Sequence, residues 1–471
     1  MTRIRPTLAT VLFTLALSGC AHSKAKPADS LAPATLPAGH RDSIPFVGTL
    51  EVERYVFDNG LRLLVVEDHS SATFAYQTWF RVGSRDELPG YTGLAHFFEH
   101  MMFKGTTSHP DGELDRLLES AGAEGQNAFT SPDHTVYVQE LPSTEVGGNK
   151  LDLIASLEAD RMRNLIVDEN GFKTEREVVH NERRFRTENS PDGTMYQELF
   201  GTMFSKHPYH WPVIGYEADL NRMTAKDARD FYKTWYSPNH ATVVVVGDVK
   251  FSEVKATVAK YYGAIPASDN PVRVIEEEPA QTSPRRQTLR LNLQSDKLMI
   301  GYHVPAVVHE DTPALNVLNS VITAGKSSRL QRALVETGIA NSVGSDAADN
   351  KDPSLFLISV ALQKDKRASQ AESVILKELD RLSRKPVSAA ELERAKNQMS
   401  FQFYDGLGGN MDKANFLGQF EAATGNFENG MLIHQKSQAV TIEQVQAAAR
   451  KYFDPKGRTV IVGTPKTGGA P

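Results

Sequence analysis

The sequence predicts an α+β fold built from two homologous domains, each a mostly antiparallel sheet with helices packed on one face. Three observations predict it: a repeated turn-and-strand unit, an early hairpin signal, and an alternation of strand-like with longer helical stretches. The repeat is clearest where Tyr236-Ser237-Pro238-Asn239 leads into the β-branched run Ala241 to Gly247, and again where Phe453-Asp454-Pro455 leads into Arg458 to Gly463. Both read as a helix, a Pro-marked turn and a buried strand closed by Gly. Their wide separation suits a duplicated domain rather than a short solenoid unit. With 471 residues, 40% hydrophobic and 23% charged, the chain has enough length and apolar content for two cores.

At the N-terminus, Arg3 and Arg5 precede the apolar run Leu8 to Leu17, too short for a stable transmembrane helix, so residues 1–20 read as a signal peptide. It ends in Leu17-Ser18-Gly19-Cys20, which resembles the bacterial lipobox. That resemblance implies lipidation of Cys20 and, with Ala21 following it, anchoring at the periplasmic face of an outer membrane. Cys20 is the only Cys in the chain, which excludes an intrachain disulfide and a thiolate metal site. Residues 21–46, rich in Ala and Pro, read as an extended tether. A net charge of −6 provides no basic field for phosphate backbones, so no nucleic-acid partner is expected.

The first domain is expected over residues 47–267, the Pro-containing acidic segment 268–287 as a linker, and the second domain over 288–471. Strands before and after Asp58-Asn59-Gly60 form the hairpin signal. Helices are expected over Gly112 to Ala121 and Val146 to Asn164.

The chemistry-bearing stretch is His96-Phe97-Phe98-Glu99-His100. Positions i, i+3 and i+4 of a helix share a face, so two imidazoles and a carboxylate project together. Neutral imidazoles suit Zn²⁺, and a carboxylate from elsewhere would complete three protein ligands while leaving a fourth position for water. Glu99 is placed to take a proton from that water, whose pKa the metal lowers to about 7. Gly93, Gly105 and the apolar neighbours indicate a short, buried helix. A further ligand is expected from Phe172 to Arg186, where Glu175 and Glu182 share a face and Val178 and Val179 are expected to pack inward. Spacing alone leaves Glu175, Glu177, His180 and Glu182 all open.

Taken together, Gly93-Leu94-Ala95-His96-Phe97-Phe98-Glu99-His100 through Thr106, Asn127-Ala128-Phe129-Thr130, Glu175 through Glu182, His207-Pro208-Tyr209 and Tyr236-Ser237-Pro238-Asn239 resemble the inverted zincins of the pitrilysin, insulin-degrading enzyme and mitochondrial processing peptidase type, the M16 family. The resemblance covers nearly all of the chain beyond the tether. It implies zinc ligation by His96, His100 and Glu182, one Zn²⁺ per chain, with Glu99 as general base and Glu175 as a supporting carboxylate. It also implies that the strand around Gly125 to Phe129 receives an extended peptide substrate, contacted by Asn127 and Ala128.

One departure matters. The family's complete active centres use an Arg and a Tyr from a second domain, but Val335 and Asn341 stand at the matching positions here, and no Tyr occurs between Tyr302 and Tyr404. The expectation is therefore a metalloendopeptidase subunit acting on unfolded or short peptides, with a homologous subunit supplying the Arg and Tyr. A homodimer is the less favoured assembly. The alternatives are a non-catalytic scaffold and a zinc-dependent peptide-binding lipoprotein.

Overall fold

The computed structural model describes residues 36–466 apart from 145–147, 272 and 274. The expected signal peptide, Cys20 and most of the tether lie outside the described residues. Strands β1 (Arg41–Pro45), β2 (Glu51–Val56), β3 (Arg62–Glu67), β4 (Thr73–Phe80), β5 (Glu124–Thr130), β6 (Thr135–Pro142) and β7 (Ala241–Gly247) form one sheet in the order β1-β2-β3-β7-β4-β6-β5. Strands β8 (Arg285–Leu291), β9 (Lys297–Val304), β10 (Ala340–Ala347), β11 (Ser354–Leu362) and β12 (Arg458–Pro465) form the other, in the order β8-β12-β9-β11-β10. The second order repeats β3-β7-β4-β6-β5 strand for strand. In each sheet the strand of the sequence repeat lies between one parallel and one antiparallel neighbour: β7 between β3 and β4, β12 between β8 and β9.

The first half carries α1 (Leu94–Met101), α2 (Glu113–Ser120), α3 (Lys150–Asn164), α4 (Glu169–Arg183), α5 (Pro191–Met203), α6 (Glu217–Arg222), α7 (Ala225–Trp235) and α8 (Phe251–Tyr262). The second half carries α9 (Thr312–Thr323), α10 (Ala368–Arg384), α11 (Ala389–Asp405), α12 (Asn410–Thr424), α13 (Glu428–Ala439) and α14 (Ile442–Tyr452). Apolar faces of α1, α3, α4, α7 and α8 pack on one face of the first sheet. Helices α9, α10 and α14 do the same for the second.

The opposite faces are covered by exchange between the halves. From the second half, α12 places Ala414 and Leu417 against Leu64, Trp79, Val138 and Val246 of the first sheet. From the first half, α5 places Met195, Leu199 and Met203 against Met299, Leu355 and Ile461 of the second. Burial of a large apolar side chain contributes about 1.5–3 kcal/mol, so these helices fasten the halves together. The exchange also explains why β7 is buried along its whole length.

Two segment boundaries differ from expectation. Arg41–Pro45, within the expected tether, pairs in register with Glu51–Tyr55 and so extends the sheet as β1. Arg285–Gln287, at the end of the expected linker, already pairs with β12. The linker itself is fastened to the first half, where Glu278 accepts from the backbone amides of Ser205, Lys206 and His207. Among the described residues no helix is long and apolar enough to cross a membrane.

Candidate metal centre

The metal-motif helix is positioned from its first turn. Gly93 precedes α1 at φ 97°, and a Cβ there would come within 2.7 Å of the Ile214 carbonyl oxygen, so backbone conformation and space both require glycine. The two oxygens of Glu87 accept from Gly93 N and Ala95 N, each at 2.8 Å, satisfying buried amides at the helix start. Phe97 packs on Phe172 of α4, and Phe98 lies against Phe231 and Tyr232 of α7. With these rings in the core, the 100° step of the helix turns His96, Glu99 and His100 toward α4 and β5.

Three donor atoms meet there. Nε2 of His100 and Nε2 of His96 approach the same oxygen of Glu182, Oε2, at 3.0 and 3.4 Å. Among the described residues, His96, His100 and Glu182 form the cluster that could hold a metal ion. A tetrahedral zinc site with bonds of 2.0–2.1 Å separates its donors by roughly 3.4 Å, so the spacing fits the ion. The contacts lack the alignment of a hydrogen bond, and Glu182 Oε2 is a buried oxygen without a hydrogen-bond partner. Two imidazole nitrogens and a carboxylate oxygen converging on one point are the donor set of a cation site.

Glu175 lies behind these three side chains, its Oε1 2.9 Å from Nδ1 of His100 and its Oε2 2.9 Å from Nζ of Lys104. The first contact fixes the tautomer that leaves His100 Nε2 free for a metal. Burial alone would depress His100, but the hydrogen bond to Glu175 and the close Glu182 carboxylate outweigh it and push the imidazole up to about 9. The Glu182 carboxyl, which burial would raise, is held far below its usual range by contacts with His100 and His96. Glu175 is likewise held low, by His100 and Lys104 against the effect of burial.

Glu99 makes no hydrogen bond or ion pair with a described residue and faces a cleft of about 410 Å³, shared with His100, Asn127, Ala128, Glu182 and Arg186. Strand β5 forms the cleft's other side. Among the described residues it pairs only with β6, which leaves its outer edge open. Asn127 is exposed, its Oδ1 accepting from Ala128 N at 2.9 Å, while Ala128 is buried. A larger cavity of about 820 Å³, between Trp211, Trp235 and Arg273, contains none of the four motif residues and is a separate feature.

All seven site residues expected within the described chain therefore border one centre. One packing expectation is corrected: Val179 is fully buried, but Val178 is 45% exposed and lines the cleft. It lies three residues after Glu175 and four before Glu182, which puts it on their face. Sequence reasoning also missed Glu87, the charge role of Lys104 and the contact of Arg186 with Glu182. The i, i+4 spacing of Glu182 and Arg186 was the one available signal.

A repeated α+β fold with a two-imidazole, one-carboxylate donor set in one repeat beside an open strand edge defines a zinc-peptidase class of architecture. The comparisons make that class specific. Residues 62–216 match the family model described as insulinase, peptidase family M16, and residues 222–399 match the peptidase M16 inactive domain. The chain is 30% identical over 417 residues to the zinc protease PqqE of Helicobacter pylori, covering 87% of this chain and 92% of that protein. A solved protease from Helicobacter pylori aligns with a TM-score of 0.83 and 30% identity over 88% of this chain and 99% of its own. An M16 inactive-domain structure from Pseudomonas fluorescens, at 19% identity and a TM-score of 0.79 over 89% and 99%, shares the fold. The chain belongs to peptidase family M16.

Proposed function

We propose that the chain is a zinc-dependent endopeptidase of unfolded or short peptides, and the metal-bearing member of a two-subunit peptidase. The observation that carries this reading is the convergence of His96 Nε2, His100 Nε2 and Glu182 Oε2, with the unpaired Glu99 beside them. These three side chains would hold the zinc ion, one per chain. When bound, zinc supplies Lewis-acid polarisation of a carbonyl and lowers the pKa of water. Glu99 takes the proton from the attacking water and delivers it to the leaving amine. Glu175 keeps His100 oriented throughout. The open edge of β5 receives the peptide as an added strand, contacted by Asn127 and Ala128.

The partner subunit is inferred from what occupies the matching positions in the second half. Asn341 donates its side-chain amide to the Leu362 carbonyl at 2.9 Å, and Val335 packs against the second core. Neither offers a cation or phenol to a substrate, so a homologous subunit supplies the Arg and Tyr; a homodimer would lack both. The Leu17 to Cys20 sequence supports a lipid anchor at Cys20 and a periplasmic position on the outer membrane.

Two measurements test the reading. Glu99→Gln should retain about one zinc per chain and lose peptide cleavage by about 10²–10⁴-fold; cleavage at the native rate removes Glu99 as the base. Peptide hydrolysis should rise sharply when a metal-motif-lacking homologue from a neighbouring gene is added. Equal activity of the chain alone and the mixture defeats the two-subunit assignment. A native zinc content with no cleavage under either condition would favour the peptide-binding reading.

A further inference from the structure

We infer that Arg186 is a positioning residue of the metal centre, which holds Glu182 as a one-oxygen ligand, and that the second half anchors it there through α5. The inference rests on the zinc-site reading above. Glu182 presents Oε2 to both imidazoles, while its other oxygen, Oε1, is 2.9 Å from Nε of Arg186. With Oε1 engaged by a guanidinium, the carboxylate is oriented to offer a single atom to the cation and to leave coordination space for water and substrate. Groups behind a metal ligand set its orientation in this way.

The backbone around Arg186 is built to hold that contact. Helix α4 ends in a π-helical turn over Arg184–Glu188, a wider winding that occurs often at functional sites. The turn is clamped by the start of α5. From α5, Thr194 Oγ1 donates to the Thr187 carbonyl at 2.7 Å, while the turn closes on itself where Asn189 N donates to the Arg184 carbonyl at 2.7 Å. Gly193 sits so close that a Cβ on it would lie 2.0 Å from the Arg186 carbonyl oxygen. Beyond this clamp, Met195, Leu199 and Met203 of α5 are buried against Met299, Leu355 and Ile461 of the second sheet. The half without a metal motif thereby fixes the segment that carries Glu182 and Arg186.

A side chain 70% exposed contributes little to stability by a lone ion pair, so a structural role for Arg186 predicts almost no effect of its removal. A positioning role predicts a specific effect on the metal. The experiment measures zinc affinity of the full chain by competition with a chromophoric chelator, for the native protein, Arg186→Ala, Arg186→Lys and Arg184→Ala, with thermal melts of each metal-free form. Arg186→Ala should weaken zinc about tenfold or more with an unchanged melting temperature. Arg186→Lys, which keeps a cation four residues from Glu182, should recover most of the loss, and Arg184→Ala, an exposed neighbour on the same turn, should match the native protein. Native affinity in Arg186→Ala, or equal losses in Arg186→Ala and Arg184→Ala, overturns the inference. Failure of the native chain to bind zinc overturns the metal-site reading itself. A zinc-loaded crystal structure adds a direct readout: one Glu182 oxygen on the metal in the native protein and two in Arg186→Ala.

Discussion

The two halves share a strand order and differ in what one helix does. In chain order, α1 and α9 occupy the same place, after the second strand of each repeat and before its edge strand. Helix α1 buries Phe97, Phe98 and Met101 and turns His96, Glu99 and His100 toward a cleft. Helix α9 buries Leu315, Val317, Leu318, Val321 and Ile322 and presents no metal-ligating group. The partners differ in the same sense. Helix α4 supplies Glu175 and Glu182 to α1, whereas α11 meets α9 through Ser320 Oγ donating to the Ala395 carbonyl. A duplicated fold therefore sets where a site can be, and three or four side chains decide whether one is there.

Changes in the two helices should break different things. The largest expected effect is that of Glu182→Ala, which removes one of the three proposed ligands. Zinc content should fall to background and cleavage should disappear, while the circular dichroism spectrum stays native. Retained stoichiometric zinc would show that another residue completes the site. In the other half, Leu318→Ala should cost about 2–5 kcal/mol in denaturant unfolding because a fully buried side chain is lost, with zinc stoichiometry unchanged. Loss of zinc at native stability would contradict the division of labour between the halves.

Smaller effects are expected from the groups behind the three donor side chains. Glu175→Gln should weaken zinc about 10- to 100-fold by releasing His100, measured by chelator competition. The pH dependence follows from the same contact. In the metal-free chain His100 is raised to about 9, so zinc must displace its proton at neutral pH. Affinity should rise by about tenfold per pH unit below 9 and level off above it. The linked effect on the metal-free fold has the opposite direction: the stabilisation from protonated His100 is fully present below about 6.5 and is lost as pH rises through 9. A pH-independent affinity between 7 and 9 would mean that His100 is already neutral. The smallest effect is expected for Asn127→Ala, an exposed residue at the strand edge, which should raise KM for peptides with zinc content intact.

Much of this division was legible in the sequence because it is local. The repeated turn and strand at Tyr236 and Phe453, the hairpin at Asp58-Asn59-Gly60 and the His96 to His100 face each depend on residues within a few positions of one another. Glu182 required the family resemblance, since helix spacing alone left four candidates on that segment. What stayed hidden depends on tertiary partners. Helices α5 and α12 show almost no amphipathic pattern, so nothing local tells that each packs against the other half's sheet. The Glu87 clamp on Gly93 and Ala95 spans an irregular loop that no periodicity describes. Two adjacent valines do not share a face, because successive helical residues point about 100° apart, so Val179 is buried while Val178 lines the cleft.

The most direct test of the central claim is the zinc-edge X-ray absorption spectrum of the purified chain. Two imidazole nitrogens with the remaining ligands oxygen are expected, with loss of the imidazole signal in the double variant His96→Ala, His100→Ala. A chain that takes up no zinc, or a spectrum with one imidazole or none, would contradict the claim.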